Sequence, residues 1–350
     1  MASDIQVLSW NINGLKAKFK KSKTVERKTK LLEIFEPYHV VLLQETHIGK
    51  MKDGKGKMKD GKGKMKDGKG KMKDGKADDN DWKFITEAFE KYALVKLEDL
   101  TCRETADNQE ETTEEEEKEG EEGEEGEEGG SQRRRRELRT ETMYMTYFSS
   151  SSKGVGILVN KPHTLLKAFS KGGDYAWVHV EIDRQKYTFV SVYYHRVYPH
   201  LICNLMLEIF YSFLTKGLDA FTCRLVIGGD FNTTLDPKLD ATTGNSKHTA
   251  RRKKLNEFLR IMKLSDVWRE MHHEDRKYTH TYTYKNKDKE VKTTKSRLDY
   301  VFVSKDDVKY VKSCEILDDI DLSDHSPVSL TLNYTNDQWR KKWVCAICGA

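Results

Sequence analysis

Two tracts in the first half of this chain cannot help to build a core, and they limit what the rest can form. A seven-residue unit, KMKDGKG, repeats from Lys50 to Lys76, with one apolar residue and two glycines in each copy. A coiled-coil seam needs two apolar positions per heptad, and glycine weakens a helix. A solvated flexible linker is therefore expected. Further on, EETTEEEEKEGEEGEEGEEGG is acidic and low in complexity, the composition of a disordered segment. Between them, DDNDWKFITEAFEKYALVKLEDL has apolar residues spaced for a short helix or strand. A folded domain must then be discontinuous, made of residues 1–48 and 143–335. Residues 49–142 form a largely disordered insertion in this reading, and 336–350 a short tail.

The formal net charge of +5 hides these blocks. Lys50 to Lys76 holds twelve Lys and four Asp, and Glu110 to Glu128 holds thirteen Glu and one Lys. Without both tracts the remainder carries +9, four of it in Arg133 to Arg136. A mildly basic remainder suits a polyanionic partner but does not demand one. QRRRRELR reads as a solvated charge run, a nuclear-import signal or a contact for the acidic tract. Six scattered Cys make no disulfide framework and fit a reducing, intracellular compartment. CAIC near the end offers one Cys-x-x-Cys pair where a zinc site needs four ligands, so it reads as incidental first and as a zinc half-site second. MASDIQVLSW lacks the basic flank and apolar core of a secretory signal. The longest greasy run, LICNLMLEIFYSFL, is too short to span a bilayer and contains Asn204 and Glu208.

Outside the insertion, strands and helices alternate. β-Branched runs with turn-like flanks predict strands at Ile5 to Trp10, Val40 to Gln44, Gly154 to Asn160, Ala176 to Ile182, Tyr187 to Tyr193 and Arg224 to Ile227. Three more are predicted at Leu298 to Val303, Val311 to Leu317 and Val328 to Leu332. Helices are predicted over Thr24 to Phe35, Cys203 to Thr215 and Ala250 to Met262. Many strands with few helices suggest two packed sheets with helices on the outer faces.

Several of these strands end in polar residues that a core tolerates only when paired. They are Asn11 after IQVLSW, Glu45 in VVLLQETH, Tyr193 in TFVSVYYHR, and Asp230 and Asn232 in LVIGGDFN. SRLDYVFV adds Asp299, and LSDHSPVSL adds Asp324 and His325. Residues i and i+2 of a strand share a face, so Asp230 and Asn232 address one spot while Phe231 packs away. Each residue alone reads better as a turn, solvated or capping group. Together they supply a full set of roles. Hard oxygen donors suit Mg²⁺ or Mn²⁺. Asn11, Glu45 and Asp324 are the first ligand candidates, with Asp230, Asn232 and His325 in the wider set. His325 with a carboxylate partner serves as a base or an orienting cation, and Asp230 orients or deprotonates water. Asn232 and Tyr193 donate to a phosphate oxygen. This is apparatus for hydrolysing a phosphate ester.

On the strings LSWNINGL, LLQETH, SSSSKGVGILVNK, GGDFNTTLDPKLD, LSDVWRE, SRLDYVFVS and LSDHSPV, the chain resembles the endonuclease/exonuclease/phosphatase superfamily. Within it, the chain looks most like the apurinic-type endonuclease domain of non-LTR (long interspersed) retrotransposons, and more distantly like exonuclease III-type abasic endonucleases. The resemblance implies an α/β fold, a four-layer sandwich of two mixed β-sheets packed face to face and flanked by helices. It implies a metal at Asn11 and Glu45 with Asp324 nearby, and Asp230 and Asn232 at the nucleophile. It places Tyr193 and Thr279 near the scissile phosphate, and has Asp299 hold the tautomer of His325. The implied activity is Mg²⁺-dependent nicking of DNA to a 3′-hydroxyl and a 5′-phosphate, in the nucleus.

Ser296 stands where repair-type members carry Trp, which favours the retrotransposon kind. Tyr193 is followed by Tyr194, His195 and Arg196, where the family usually has Ala-Pro-Asn. That departure, with the long insertion, keeps open a catalytically weakened DNA-binding relic; a phosphatase or lipid phosphodiesterase of the same superfamily is the third reading, and the retrotransposon-like strings argue against it.

Overall fold

The structure, a computed structural model, describes residues 4–15, 24–48, 86–87, 89–97, 138–146, 153–194, 224–243 and 249–334. The Lys-rich repeat, the acidic tract, Arg133 to Arg136, the helix expected at Cys203 to Thr215 and the CAIC tail lie outside these residues.

Two mixed sheets dominate. The first has seven described strands in the order β15 (Val311–Ile316), β16 (Val328–Leu332), β1 (Ile5–Asn11), β2 (Val40–Gln44), β6 (Val155–Val159), β5 (Thr142–Met145) and β3 (Ala93–Lys96). The second, also seven-stranded, runs β11 (Leu264–Asp266), β14 (Asp299–Ser304), β10 (Arg224–Asp230), β9 (Gln185–Tyr193), β8 (Tyr175–Ile182), β7 (His163–Lys171) and β4 (Leu138–Arg139). A separate ribbon pairs β12 (His280–Lys285) with β13 (Val291–Ser296). The helices are α1 (Thr24–Phe35), α2 (Pro237–Asp240), α3 (Thr249–Ile261) and α4 (Val267–Met271).

Three apolar clusters show how the layers stack. The central one joins Val7, Leu42 and Ile157 of the first sheet to Val178, Phe189, Val226 and Val303 of the second. A second puts Leu31 and Phe35 of α1 against Leu8, Val41 and Leu43 on the outer face of the first sheet. The third puts Leu255 and Phe258 of α3 against Ile227, Phe231 and Phe302 on the outer face of the second. The result is helix, sheet, sheet, helix, the expected four-layer sandwich. Strands such as β2, VVLLQ, are buried at every residue because both their faces are covered. Each fully buried Val, Leu or Ile contributes roughly 1.5–3 kcal/mol. Among the described residues, no helix is long and apolar enough to cross a membrane.

The glycine pair before Asp230 is closely packed on both sides. A Cβ on Gly228 would meet Leu42 Cδ1 at 2.7 Å and Ser9 Cβ at 2.9 Å on the facing sheet. A Cβ on Gly229 would strike the carbonyl of Val192 in the neighbouring strand. With side chains absent at both positions, β10 stays in its ladder three residues beyond the expected end at Ile227 and delivers Asp230 as its last residue.

Some elements differ from expectation. The strand predicted from Leu298 begins at Asp299, and the last long helix covers Thr249–Ile261. Ala93–Lys96 is a strand pairing with β5, and Leu138–Arg139 pairs with β7, so described pieces of the stretch 49–142 edge both sheets. β7 and the β12–β13 ribbon were outside the sequence reading. The ribbon is almost wholly exposed, so it carries no apolar face from which to infer it.

Candidate active site

The pairing registers bring the polar strand ends together. β9 and β10 are parallel, with Tyr193 beside Asp230, and β14 is antiparallel to β10, with Asp299 on the other side of Asp230. Tyr193, Asp230 and Asp299 thus form one row across the second sheet. In the first sheet, parallel β1 and β2 set Asn11 beside Gln44, so Glu45 follows at the same edge. β16 runs antiparallel to β1, with Val328 beside Ser9, so His325 enters from the same end. Trp10 secures it, its Nε1–H donating to the His325 carbonyl at 2.9 Å.

Across the mouth the side chains interlock. Asn11 Nδ2 donates to Glu45 Oε1 at 2.9 Å and to Asp230 Oδ2 at 3.0 Å, joining the two sheets. Asn232 donates to Asp230 twice, from its backbone N at 2.7 Å and from Nδ2 at 3.0 Å. His325 Nδ1 lies 2.8 Å from Asp299 Oδ2. Tyr193 hydrogen-bonds the Glu45 side chain. His47 Nε2 sits 3.1 Å from Glu45 Oε2. Asp324, half exposed at the rim, accepts from Asn13 Nδ2 at 2.8 Å. Asn13, Glu45, His47 and Asn232 all have positive φ, at 46°, 50°, 54° and 48°. Non-glycine residues in this region cluster where function over-determines the backbone.

Thr279 packs against the start of β14. It is 1% exposed, and its hydroxyl accepts the N–H groups of Leu298 at 2.9 Å and Asp299 at 3.1 Å. It lies beneath the site and pins the start of β14. Tyr194, the first residue of the departure from Ala-Pro-Asn, is fully buried and donates its N–H to the Asp230 carbonyl at 2.8 Å. Arg251 of α3 lies over its ring and donates to the Asn232 carbonyl at 2.9 Å. His195 and Arg196 lie outside the described residues.

Sequence reasoning missed Asn13, Arg251 and His280. Asn13 was visible in LSWNING as a turn residue, but its partner Asp324 is distant in the chain. His280 had no local signal: its ring stands 4.5 Å from that of His325 only because the two residues form an antiparallel bridge.

Charge is unevenly balanced here. Burial alone lowers the pKa of His325, but the carboxylates of Asp299, Asp230 and Asp324 outweigh it and push it to about 10. Burial and the adjacent Asp299 raise Asp230 above the ordinary carboxylate range. Glu45 is lowered: burial works against this, and hydrogen bonds from His47, Asn11 and Tyr193 overcome it. For Asp324, burial is likewise outweighed, here by Asn13 and by His325 and His280.

Three carboxylates, of Asp299, Asp230 and Asp324, therefore act on the His325 imidazolium, Glu45 adds a fourth at the same mouth through Asn11, and the buried Asp299 Oδ1 has no hydrogen-bond partner among the described residues. A divalent cation fits this excess of hard, negative oxygen. The residues for it are present: Asp230, Asp299 and His325 bring one ligand atom each within 4.8 Å of one another, as do His280, Asp324 and His325.

Fold and site together define an α/β-sandwich hydrolase of phosphate esters. The chain belongs to the endonuclease/exonuclease/phosphatase family, whose profile matches residues 8–325. Its fold is similar to the AP endonuclease LMAP from Leishmania major, at TM-score 0.57 and 13% identity over 95% of this chain and 88% of that one. It is also similar to the Xenopus laevis APE2 catalytic domain, at TM-score 0.52 and 15% identity over 94% and 91%. The endonuclease domain of TRAS1, a telomere-specific non-LTR retrotransposon, aligns at TM-score 0.49 and 13% identity over 95% and 99%. No curated protein matches the sequence.

Proposed function

We propose that the chain is a Mg²⁺- or Mn²⁺-dependent DNA endonuclease that nicks a strand to leave a 3′-hydroxyl and a 5′-phosphate, acting in the nucleus. The observation that carries this reading is the row Tyr193–Asp230–Asp299 set against His325 and Asn11. It gathers a candidate base, a held imidazolium and amide donors at one mouth. Family membership and the strings shared with retrotransposon endonucleases support it.

The chemistry follows from the geometry. Asp299 accepts from His325 Nδ1, which aims Nε2 across the mouth. The imidazolium donates from Nε2 to a non-bridging phosphate oxygen and offsets the charge that builds there as water attacks phosphorus. Asp230, pinned by Asn232 and Asn11, takes the proton of that water. Its raised pKa makes it a better base than an exposed carboxylate. Tyr193 and Asn232 donate to the phosphate and hold it in line. The new bond joins the water oxygen to phosphorus, and the bond from phosphorus to the 3′ oxygen breaks. A divalent cation held by Glu45, Asn11 and Asp324 would supply Lewis-acid charge to the phosphate and the departing oxygen.

A polymeric substrate is favoured by the β12–β13 ribbon, which leaves the site directly after Thr279 and His280. It exposes Tyr282 and Tyr284, stacked 5.7 Å apart, among exposed Lys285, Lys287, Lys289 and Lys292. Aromatic faces amid cations suit a nucleic acid better than a small phosphate ester.

Supercoiled plasmid incubated with Mg²⁺, with EDTA, and with His325→Ala protein tests the reading. Nicking should need Mg²⁺ and fall at least about 10²-fold in the variant. Near-normal nicking by the variant overturns it. Binding without nicking by the wild type would identify a weakened relic. Hydrolysis of inositol phosphate or sphingomyelin but not DNA would identify a phosphatase or lipid phosphodiesterase.

A further inference from the structure

We infer that His280, Asp324 and His325 form a second binding site, sharing Asp324 with the first, for a borderline transition cation, of which Zn²⁺ is the representative, and that its occupation competes with the hydrolytic use of His325. The three residues bring one ligand atom each within 4.8 Å of one another. Two imidazoles and a carboxylate, with positions left for water, are the donor set of an open zinc site. Imidazole also shifts preference away from Mg²⁺ toward Zn²⁺, Ni²⁺ or Co²⁺.

The backbone prepares this arrangement. His280 and His325 form an antiparallel bridge, flanked by Ser326 N donating to Thr279 O at 2.7 Å and Thr281 N donating to Asp324 O at 3.3 Å. The rings are thereby held with centroids 4.5 Å apart. His280 Nε2 and Asp324 Oδ2 are 3.9 Å apart. Ligands about 2.0–2.1 Å from a tetrahedral ion stand roughly 3.3 Å from each other, so a small closure suffices. Behind the site, Asp299 holds His325 through Nδ1 at 2.8 Å. A carboxylate on the far nitrogen is the usual support of a metal-binding histidine and leaves Nε2 to ligate. Side-chain exposures of 17% at His280 and 46% at Asp324 give an ion a way in.

The two cation sites are chemically different. They share Asp324, but Glu45 and Asn11 offer oxygen alone, whereas His280 and His325 add imidazole nitrogen. An ion between His280 and His325 displaces the Nε2 proton of the imidazolium to solvent and then occupies the same Nε2 that serves the phosphate, so its binding strengthens as pH rises. That consequence rests on the function proposed above, whereas the site itself does not.

Full-length protein freed of metal is titrated with Zn²⁺ alone by calorimetry, and with Co²⁺ by its visible absorption. The same is done for His280→Phe and His280→Asn, whose thermal melts show whether they fold. One equivalent should bind to the wild type, and each folded variant should bind at least tenfold more weakly. Equal affinity in the variants, or no binding by the wild type, overturns the site. In a second arm, Zn²⁺ is added to plasmid nicking at saturating Mg²⁺, with each protein read against its own Mg²⁺-only rate. Inhibition should appear at the Zn²⁺ concentration that fills the site and shift upward in the variants. Equal inhibition of all three proteins overturns the competition. If no protein nicks DNA, the proposed function fails while the titration still decides the site.

Discussion

His325 Nδ1 and Asp299 Oδ2 lie 2.8 Å apart between two different sheets, with Asp299 1% exposed. The pair is the main reason an imidazolium persists at a buried position. Replacing Asp299 with Asn keeps the shape and removes the charge. In metal-free protein, NMR titration should find His325 near pH 10 in the wild type and well below that in Asp299→Asn. The folded-state value exceeds the ordinary 6.5. The stability His325 contributes is therefore complete below about 6.5 and is lost as pH rises through about 10. The variant's stability should be flatter over that window. An unchanged titration in Asp299→Asn would sink the pairing.

Asp230 presents the opposite sign. Burial and Asp299 raise its pKa from 3.8, so the folded state disfavours its charged form. The resulting penalty grows as pH rises above that ordinary value. Asp230→Asn should therefore melt at a higher temperature than the wild type at pH 8, and at a closer temperature at pH 4. Each kcal/mol gained corresponds to about 2–4 °C. Nicking should fall by about 10²–10⁴-fold in the same variant. Stability exchanged for activity is the expected behaviour of a strained site. A variant that melts lower at pH 8 contradicts the placement.

The two variants mark what the sequence makes legible. Asp230 closes an apolar strand, Asp299 opens one and His325 stands just before a third, each a polar group at the end of a buried run, so their grouping is readable before any coordinates. The long strands and the outer helices are readable for the same reason, because burial leaves a pattern. Asn13 and His280 are not, since each acquires its meaning from a partner contributed by a distant strand. Thr279 entered through the resemblance alone, because the two backbone N–H groups its hydroxyl accepts belong to Leu298 and Asp299, on a different segment of the chain. β12 and β13 escaped because an exposed ribbon of Thr, Tyr and Lys carries no hydrophobic period.

That ribbon supplies a binding prediction. Tyr282 and Tyr284 are 57% and 38% exposed, and apolar rings left in water invite a stacking partner. Tyr282→Ala/Tyr284→Ala should weaken DNA binding by about 1–3 kcal/mol for each base stacked. Lys287→Gln/Lys289→Gln should instead lower the slope of log affinity against log salt by roughly 0.9 for each phosphate no longer neutralised. Fluorescence anisotropy over a salt series separates the two effects. Wild-type slopes and affinities in both double variants would remove the ribbon from the interface.

Arg297, two residues before Asp299, should control stability and site alignment together. It is 1% exposed, donating to Asp240 at 2.9 Å and 3.2 Å and to Asp266 at 3.0 Å, with its plane between Trp268 and Tyr300. Arg269 shares Asp240 at 2.8 Å. Arg297→Ala would leave two carboxylates short of their buried cation, a loss of about 3–5 kcal/mol. Arg297→Lys restores the charge but cannot reproduce the planar fork or its stacking. Urea denaturation should therefore rank wild type above Lys and Lys above Ala. Because Arg297 N donates to the Asp240 carbonyl at 2.8 Å and leads straight into β14, nicking by folded Arg297→Lys should also fall. A lysine variant as stable and as active as the wild type would show that the charge alone suffices and that the fork geometry contributes nothing.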